Sequence, residues 1–477
     1  MGHHELVSPN PLMIVPFGLL LAAIALMPLA AREWWEKHYP KVSYVLGAIT
    51  LAYYLFWLDA GWRALEVGHE YVSFIALIGS LFVVSGGIQV TVKGEATPLE
   101  NVAFLFVGAI VANLLGTTGA SMLLIRPWIR MNKYRITAHH VVFFIFIVAN
   151  VGGCLTPIGD PPLFMGYVKG IPFWWVAEHC WSMWLMGVGL LLTIFYFIDL
   201  RNYRKAPKEI REAVAEPPDV FRVRGITNAL FLAAILGAVF ITKPLFLREA
   251  IMIGAAAASY FLTPKSIHEA NHFNFEPIRE VAILFIGIFA TMMPALDYLQ
   301  LHAGEAGRPT VDFFYWATGL LSGVLDNTPT YLTFLSAQMG ALVPAHAVEQ
   351  IQALLGQGTT NLVALAAAQP ADVAHTLQAL ARMAPPGLAS GNVSPDHLRI
   401  AYLLGNHELN KFVVAVSVSS VFFGAATYIG NGPNFMVKSI AEQRKIHVPS
   451  FVGYVFRFTL PCLLPVLLIV WWVFFRA

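Results

Sequence analysis

The chain has 477 residues and a net charge of +2, with 57% hydrophobic and only 12% charged residues. Soluble domains carry roughly twice that charged share, so a water-soluble globular fold is excluded, and the near-neutral balance offers no electrostatic footprint for nucleic acid. The three cysteines, Cys154, Cys180 and Cys462, lie in or beside apolar runs without metal-ligand spacing and read as small core residues.

A bilayer span needs about 20 apolar residues. In chain order, spans are expected near 11–31, 42–58 and 72–90. The first ten residues carry no Lys or Arg, so no cleavable leader is expected. The apolar stretch 101–125 has a polar centre and reads as a re-entrant hairpin; 141–168 is an apolar segment broken by Gly and Pro, and 173–199 is a further span. A charged linker at 200–224 separates this N-terminal half, 1–199, from a second half, 225–477. Spans are expected there near 225–241, 248–263 and 281–299, then a second hairpin at 311–340 and an external loop at 341–399 with short helices at 346–355 and 371–383. A second broken segment, 400–437, and a final span, 451–474, complete the chain. The fold class is an all-α polytopic membrane protein with about ten full spans.

Counting Lys and Arg over loops assigned by this alternation puts 20 on one side and eight on the other, with Lys411 and Arg457 inside spans. The cation-rich side is the cytoplasmic one, which leaves both termini outside. A full crossing at 101–125 would carry Arg126, Arg130, Lys133 and Arg135 to the side that lacks cations, hence the re-entrant reading.

The residues Gly153 to Met165 (GCLTPIGDPPLFM) recur 271 positions later as Gly424 to Met436 (GAATYIGNGPNFM), with seven identities where chance gives about one. Two copies of a broken helix, each preceded by a hairpin, predict an inverted-topology repeat with its site where the copies meet, as in secondary transporters. Backbone at bilayer depth leaves the helix only where protein or a water-filled cavity satisfies it, so Gly159, Pro161, Pro162, Pro329, Gly430, Gly432 and Pro433 mark the breaks that line such a cavity. The hydroxyls and amides beside them, Thr117, Thr118, Asn150, Thr156, Asn327, Thr328, Thr427, Asn431 and Asn434, supply the neutral oxygens that a dehydrated Na+ requires.

Two carboxylates sit at breaks, Asp160 and Asp326. Such groups are costly at this depth unless they bind something. Each is also placed to cap the helix that follows it; the position equivalent to Asp160 in the second copy is Asn431. Elsewhere, His139 and His140 read as residues at a membrane boundary and the charges in Arg201–Pro218 as a solvated linker that can meet lipid headgroups. His407 and Lys411 share a helical face, but an HExxH site needs His at 411, and Ser121 with His139 or His140 lacks a GxSxG. Neither a hydrolase nor any other enzyme is expected, and no cofactor.

The IGDPP of 158–162, the LDNTPTYLTF of 325–334 and the IGNGPNFM of 429–436 resemble the ion transporter superfamily, in its sodium:proton antiporter and putative citrate transport branch. The resemblance covers roughly 100–175 and 311–440. It implies hairpin tips that meet unwound helices, a homodimer, and a bacterial cell-membrane location. Carried over by position, the tips are Gly116, Thr117 and Thr118, and Asp326, Asn327 and Thr328. Carboxylate carriers of this superfamily tend to show Ser-Asn-Thr at both tips, and this chain departs from that. A citrate trianion would also be repelled by Asp160 and Asp326, with Arg126, Lys169 and Lys438 peripheral. The expectation is therefore a Na+/H+ antiporter working by alternating access, with Na+ and H+ exchanged at Asp326 and Asp160. The alternative is a Na+- or H+-coupled citrate or dicarboxylate transporter.

Overall fold

A computed structural model describes residues 7–92, 96–207, 222–241, 243–307, 309–356, 362–385, 387–388, 391 and 393–476. Most of the charged linker lies outside the described residues. The first half contains α1 (Val15–Ala30), α2 (Arg32–Ala52), α3 (Gly61–Gly86), α4 (Pro98–Met131), α5 (Ala138–Ile147), α6 (Pro161–Val168) and α7 (Trp175–Lys205). The second contains α8 (Asn228–Ala238), α9 (Leu247–Leu262), α10 (Lys265–Ala270), α11 (Glu276–His302), α12 (Val311–Ser322) and α13 (Asn327–Leu342). These are followed by α14 (Ala345–Gly356), α15 (Leu362–Ala366), α16 (Ala371–Met383), α17 (Pro395–Gly405), α18 (His407–Gly424), α19 (Gly432–Gln443) and α20 (Phe451–Phe474).

Among the described residues the fold is all-helical but for one short antiparallel pair, β1 (Gln89–Thr91) with β2 (Arg222–Arg224), which ties the end of α3 to the end of the linker. Among the described residues, six helices are long and apolar enough to cross a bilayer. Large apolar side chains such as Phe56, Trp57, Leu65, Leu230 and Phe261 lie exposed, as a lipid-facing surface requires.

One of the six, α4, folds back on itself. The helix is broken at Gly116, whose φ of 72° and ψ of 157° suit a residue without Cβ. The two arms run antiparallel: Asn101 and Asn132 exchange amide hydrogen bonds at 2.8 and 2.9 Å, Phe104 stacks on Trp128, and the Ala96 N–H donates to the Met131 carbonyl. The arms, Pro98–Leu115 and Thr117–Met131, are 18 and 15 residues long, about 27 and 22 Å of helix. The pair α12 and α13 makes a second hairpin around Gly323–Asp326, with Phe314 against Phe334.

Helices α1, α2, α3, α8, α9 and α11 pack mainly on one another. The hairpins pack against the broken segments, α13 on α6 and α19 on α4, so that elements from both halves interlock around one buried centre. Within 341–399, α14 and α16 lie where short helices are expected, with α15 between them. The 400–437 stretch breaks twice, at Asn406 and at 425–431, and its last helix runs on to Gln443.

Candidate functional site

The breaks in both halves use the same bonds. In the first, the Thr156 hydroxyl donates to the Asn113 carbonyl at 2.7 Å and accepts the Gly159 N–H at 3.0 Å. In the second, the Thr427 hydroxyl donates to the Gly323 carbonyl at 2.7 Å and accepts the Gly430 N–H at 3.2 Å. Thr427 lies 271 positions after Thr156, and Gly323 lies 210 after Asn113, the same offset that relates Gly116 to Asp326 at the hairpin tips. In both breaks the two glycines are stacked backbone to backbone. A Cβ on Gly430 would stand 2.7 Å from the Gly424 carbonyl oxygen, and one on Gly159 would strike that of Gly153. Only glycine permits so close an approach.

Other freed carbonyls find side-chain donors, as backbone at this depth must. Asn113 and Trp184 both donate to Gly152, Tyr454 donates to Ala425, and Thr459 donates to Ala426. Asn113 also accepts the Leu155 N–H at 2.8 Å and is as central to the first break as Thr156.

Asp160 occupies the centre. Its side chain is fully buried and makes no capping bond to the α6 backbone, although Asp160 stands at the N-cap position. Three segments aim donors at it instead. The Thr117 hydroxyl, from the first hairpin tip, and the Asn431 amide, from the second break, reach Oδ1 at 2.7 and 3.1 Å. The Asn327 amide, from the second hairpin tip, reaches Oδ2 at 2.5 Å. Asn431 also donates to Asn150 Oδ1 at 3.1 Å, and Asn150 in turn to Asn434 Oδ1 at 2.7 Å. Asn434 closes the chain by donating to the Gly424 and Thr427 carbonyls.

Four helices begin beside this carboxylate: the second arm of α4 at Thr117, α6 at Pro161, α13 at Asn327 and α19 at Gly432. Their positive ends favour one negative charge there, and Asp160 provides it. Pro162 and Pro433 lie in first turns, where a missing N–H costs nothing. Among the described residues no Lys or Arg forms an ion pair with Asp160. Lys169 pairs with Glu70 and Asp396, Lys438 lies against Glu442 and the Tyr428 ring, and Arg126 donates to the Met122 carbonyl of its own helix.

Asp326 behaves differently. It is half-buried, and its side chain accepts the Thr328 N–H at 3.0 Å as the N-cap of α13. Of the two carboxylates, then, one caps a helix and the other is held by side chains. Thr118 is half-buried at the rim of a cavity of about 20 Å³, which Thr117, Pro157, Pro161 and Leu77 and Leu81 of α3 also line. That volume holds one water-sized occupant.

A second buried polar cluster was not legible as such in the sequence. Asp199 of α7 is fully buried and accepts from Arg135 in an ion pair and from Asn101 at 2.9 Å, with His139 and His140 ring nitrogens 3.3 and 3.1 Å away. Both histidines, in the first turn of α5, are buried within this cluster. The cluster fastens the open ends of the α4 hairpin to α5 and α7. Asp199, a lone acid at the end of an apolar run, was the available signal.

No curated protein matches the chain. A family profile described as "Putative citrate transport" matches residues 7–475, nearly the whole length. The chain, with its membrane-length helices and its polar centre between broken segments, belongs to that family of membrane transporters.

Proposed function

We propose that the protein is a secondary active transporter that exchanges Na+ for H+, with Asp160 as the group that carries either ion. The observation that supports this is a fully buried carboxylate held by three neutral donors from three segments, with no cationic side chain beside it. Buried in that way, a negative charge costs several kcal/mol unless a cation or a proton neutralises it. The carboxylate oxygens, the Thr117 and Thr118 hydroxyls and the Asn327 carbonyl oxygen are hard donors of the kind Na+ takes, while Thr156, Thr427, Asn150 and Asn434 shape the breaks around it. Asp326 and Thr328 hold the second tip. The recurrence of the Thr156 bonds at Thr427 supports an inverted repeat, and alternating access would shift the hairpins and broken helices against α3 and α11. The working unit is a homodimer in a bacterial cell membrane, with both termini outside.

The family description is equally compatible with a second reading, a citrate or dicarboxylate carrier coupled to Na+ or H+. The neutral wall and the charge of Asp160 argue against a trianion in the same place. Purified protein in liposomes loaded with a pH-sensitive dye decides between them. Proton efflux on adding Na+ or Li+ supports exchange. Accumulation of radiolabelled citrate, with no response to cations alone, would replace it with the carboxylate reading.

A further inference from the structure

Helix α6 has only eight residues and is about 12 Å long. Asp160 stands at one end and Lys169 at the other, where an ammonium also suits the negative end of the helix. Lys169 is 4% exposed, and its ammonium bridges two acids from other elements, Glu70 of α3 at 2.6 Å and Asp396 of α17 at 3.2 Å. The next residue, Gly170, has φ of 112°, and a Cβ there would lie 2.7 Å from the His397 ring, so the 341–399 segment with α17 closes directly over the end of α6.

Neighbouring charges bind the surrounding helices to each other rather than to α6. Arg63 of α3 pairs with Asp297 of α11 at 2.8 Å, and Arg399 of α17 donates to Gln300 of α11 at 3.1 Å. Lys169 is thus the charged tie between α6 and a frame made of α3, α11 and α17. The tie is also incomplete, since Glu70 Oε2 is buried without a hydrogen-bond partner. Ion pairs of this kind are weak net stabilisers but strong discriminators between arrangements, because parting them leaves unpaired buried charge. At the other end of α6, Asp160 is fully buried, while Gly432 and Asp326 retain exposure.

We propose that Lys169 is a latch. Held by Glu70 and Asp396, it keeps the site closed toward the face that carries the 341–399 segment, and loading or release at that face requires α6 to part from them. The proposal rests on the alternating-access reading above.

The test places a probe cysteine at Ile78, which lines the cavity beside the first hairpin tip, in a chain with Cys154, Cys180 and Cys462 replaced by Ala. Labelling by a membrane-impermeant maleimide is then timed from each face in vesicles of known orientation. The neutral triple variant E70Q/K169M/D396N removes the charges together, so that none is left unpaired. It should label about tenfold faster from the Lys169 face, the response to about 1.4 kcal/mol of lost closure, and at the parent rate from the other face. D396N alone, which leaves Lys169 with Glu70, should give about threefold and serves if the triple variant is not monodisperse. K169R should label like the parent. Parent rates in folded triple or D396N protein, or equal acceleration from both faces, would overturn the latch. Cation-driven proton movement by the unmutated chain is measured separately: its absence alongside faster one-sided labelling would remove the Na+/H+ reading and leave the latch standing.

Discussion

Asp160→Asn isolates charge from shape. The amide keeps an oxygen for the Thr117 and Asn431 donors, whose distances to Oδ1 are 2.7 and 3.1 Å, but sets an NH2 against the Asn327 amide that now approaches Oδ2 at 2.5 Å. Rotating the Asn327 amide by half a turn presents its carbonyl and restores that bond, since its oxygen meets only the Thr328 hydroxyl, 3.5 Å away. The structural loss is therefore no more than one neutral hydrogen bond, about 1 kcal/mol, and removal of a buried charge offsets part of it. On the proposed exchange, by contrast, the variant loses the group that takes up and gives back a proton. D160N should purify as a monodisperse protein melting within ~2 °C of the parent, bind no Na+ by isothermal calorimetry and show no Na+-driven proton efflux from liposomes. Asp326→Asn is the matched control, because Asn caps a helix about as well as Asp and Asp326 holds only the Thr328 N–H. It should retain exchange. A D160N protein that still exchanges, with D326N inactive, would refute the assignment of the two carboxylates.

Thr156→Val and Thr427→Val each remove a hydroxyl that both donates to a hairpin carbonyl and accepts a break amide. Each should cost about 1–3 kcal/mol for the stranded backbone groups, with similar falls in melting temperature; a change confined to one half would show that the two breaks are not equivalent. Asp199→Asn leaves Arg135 buried without its carboxylate and should destabilise by about 3–5 kcal/mol, read as loss of monodisperse protein, and an unaffected melting temperature would count against a fastening role. Burial alone would raise the Asp396 carboxyl, but Lys169, Arg63 and Arg399 outweigh it and hold it down at about 2. The contribution of a lowered carboxylate is complete above its ordinary value and is lost only as pH falls through about 2. Labelling of the Ile78 probe from the Lys169 face should therefore be flat between roughly pH 5 and 9 once corrected for maleimide chemistry, and a rise at pH 5 would show that another group releases the latch.

The parts of the site that the sequence exposes are those written as local pattern. A thirteen-residue echo, two interrupted apolar runs and Asp160 beside Pro161 are visible within short windows, and these elements do meet in space. What stays hidden depends on pairs far apart in the chain. Lys169 and Asp396 are separated by 227 residues and Arg63 and Asp297 by 234, and each alone is an ordinary charge near the end of an apolar run. The difference between Asp160 and Asp326 is hidden for another reason: both precede a helix and suit an N-cap, and only the approach of Thr117, Asn327 and Asn431 decides which is held by side chains.

The threonine joints have a consequence for how such a protein can diversify. Each fastens a hairpin to a break through a hydroxyl on one side and main-chain atoms on the other, so the accepting position can be Asn113 in one half and Gly323 in the other without altering the bond. A joint anchored on the backbone does not restrict which side chains the tip presents. On the proposed repeat, the two tips are free to carry different chemistry, Gly-Thr-Thr on one and Asp-Asn-Thr on the other, while the joint between hairpin and break stays intact.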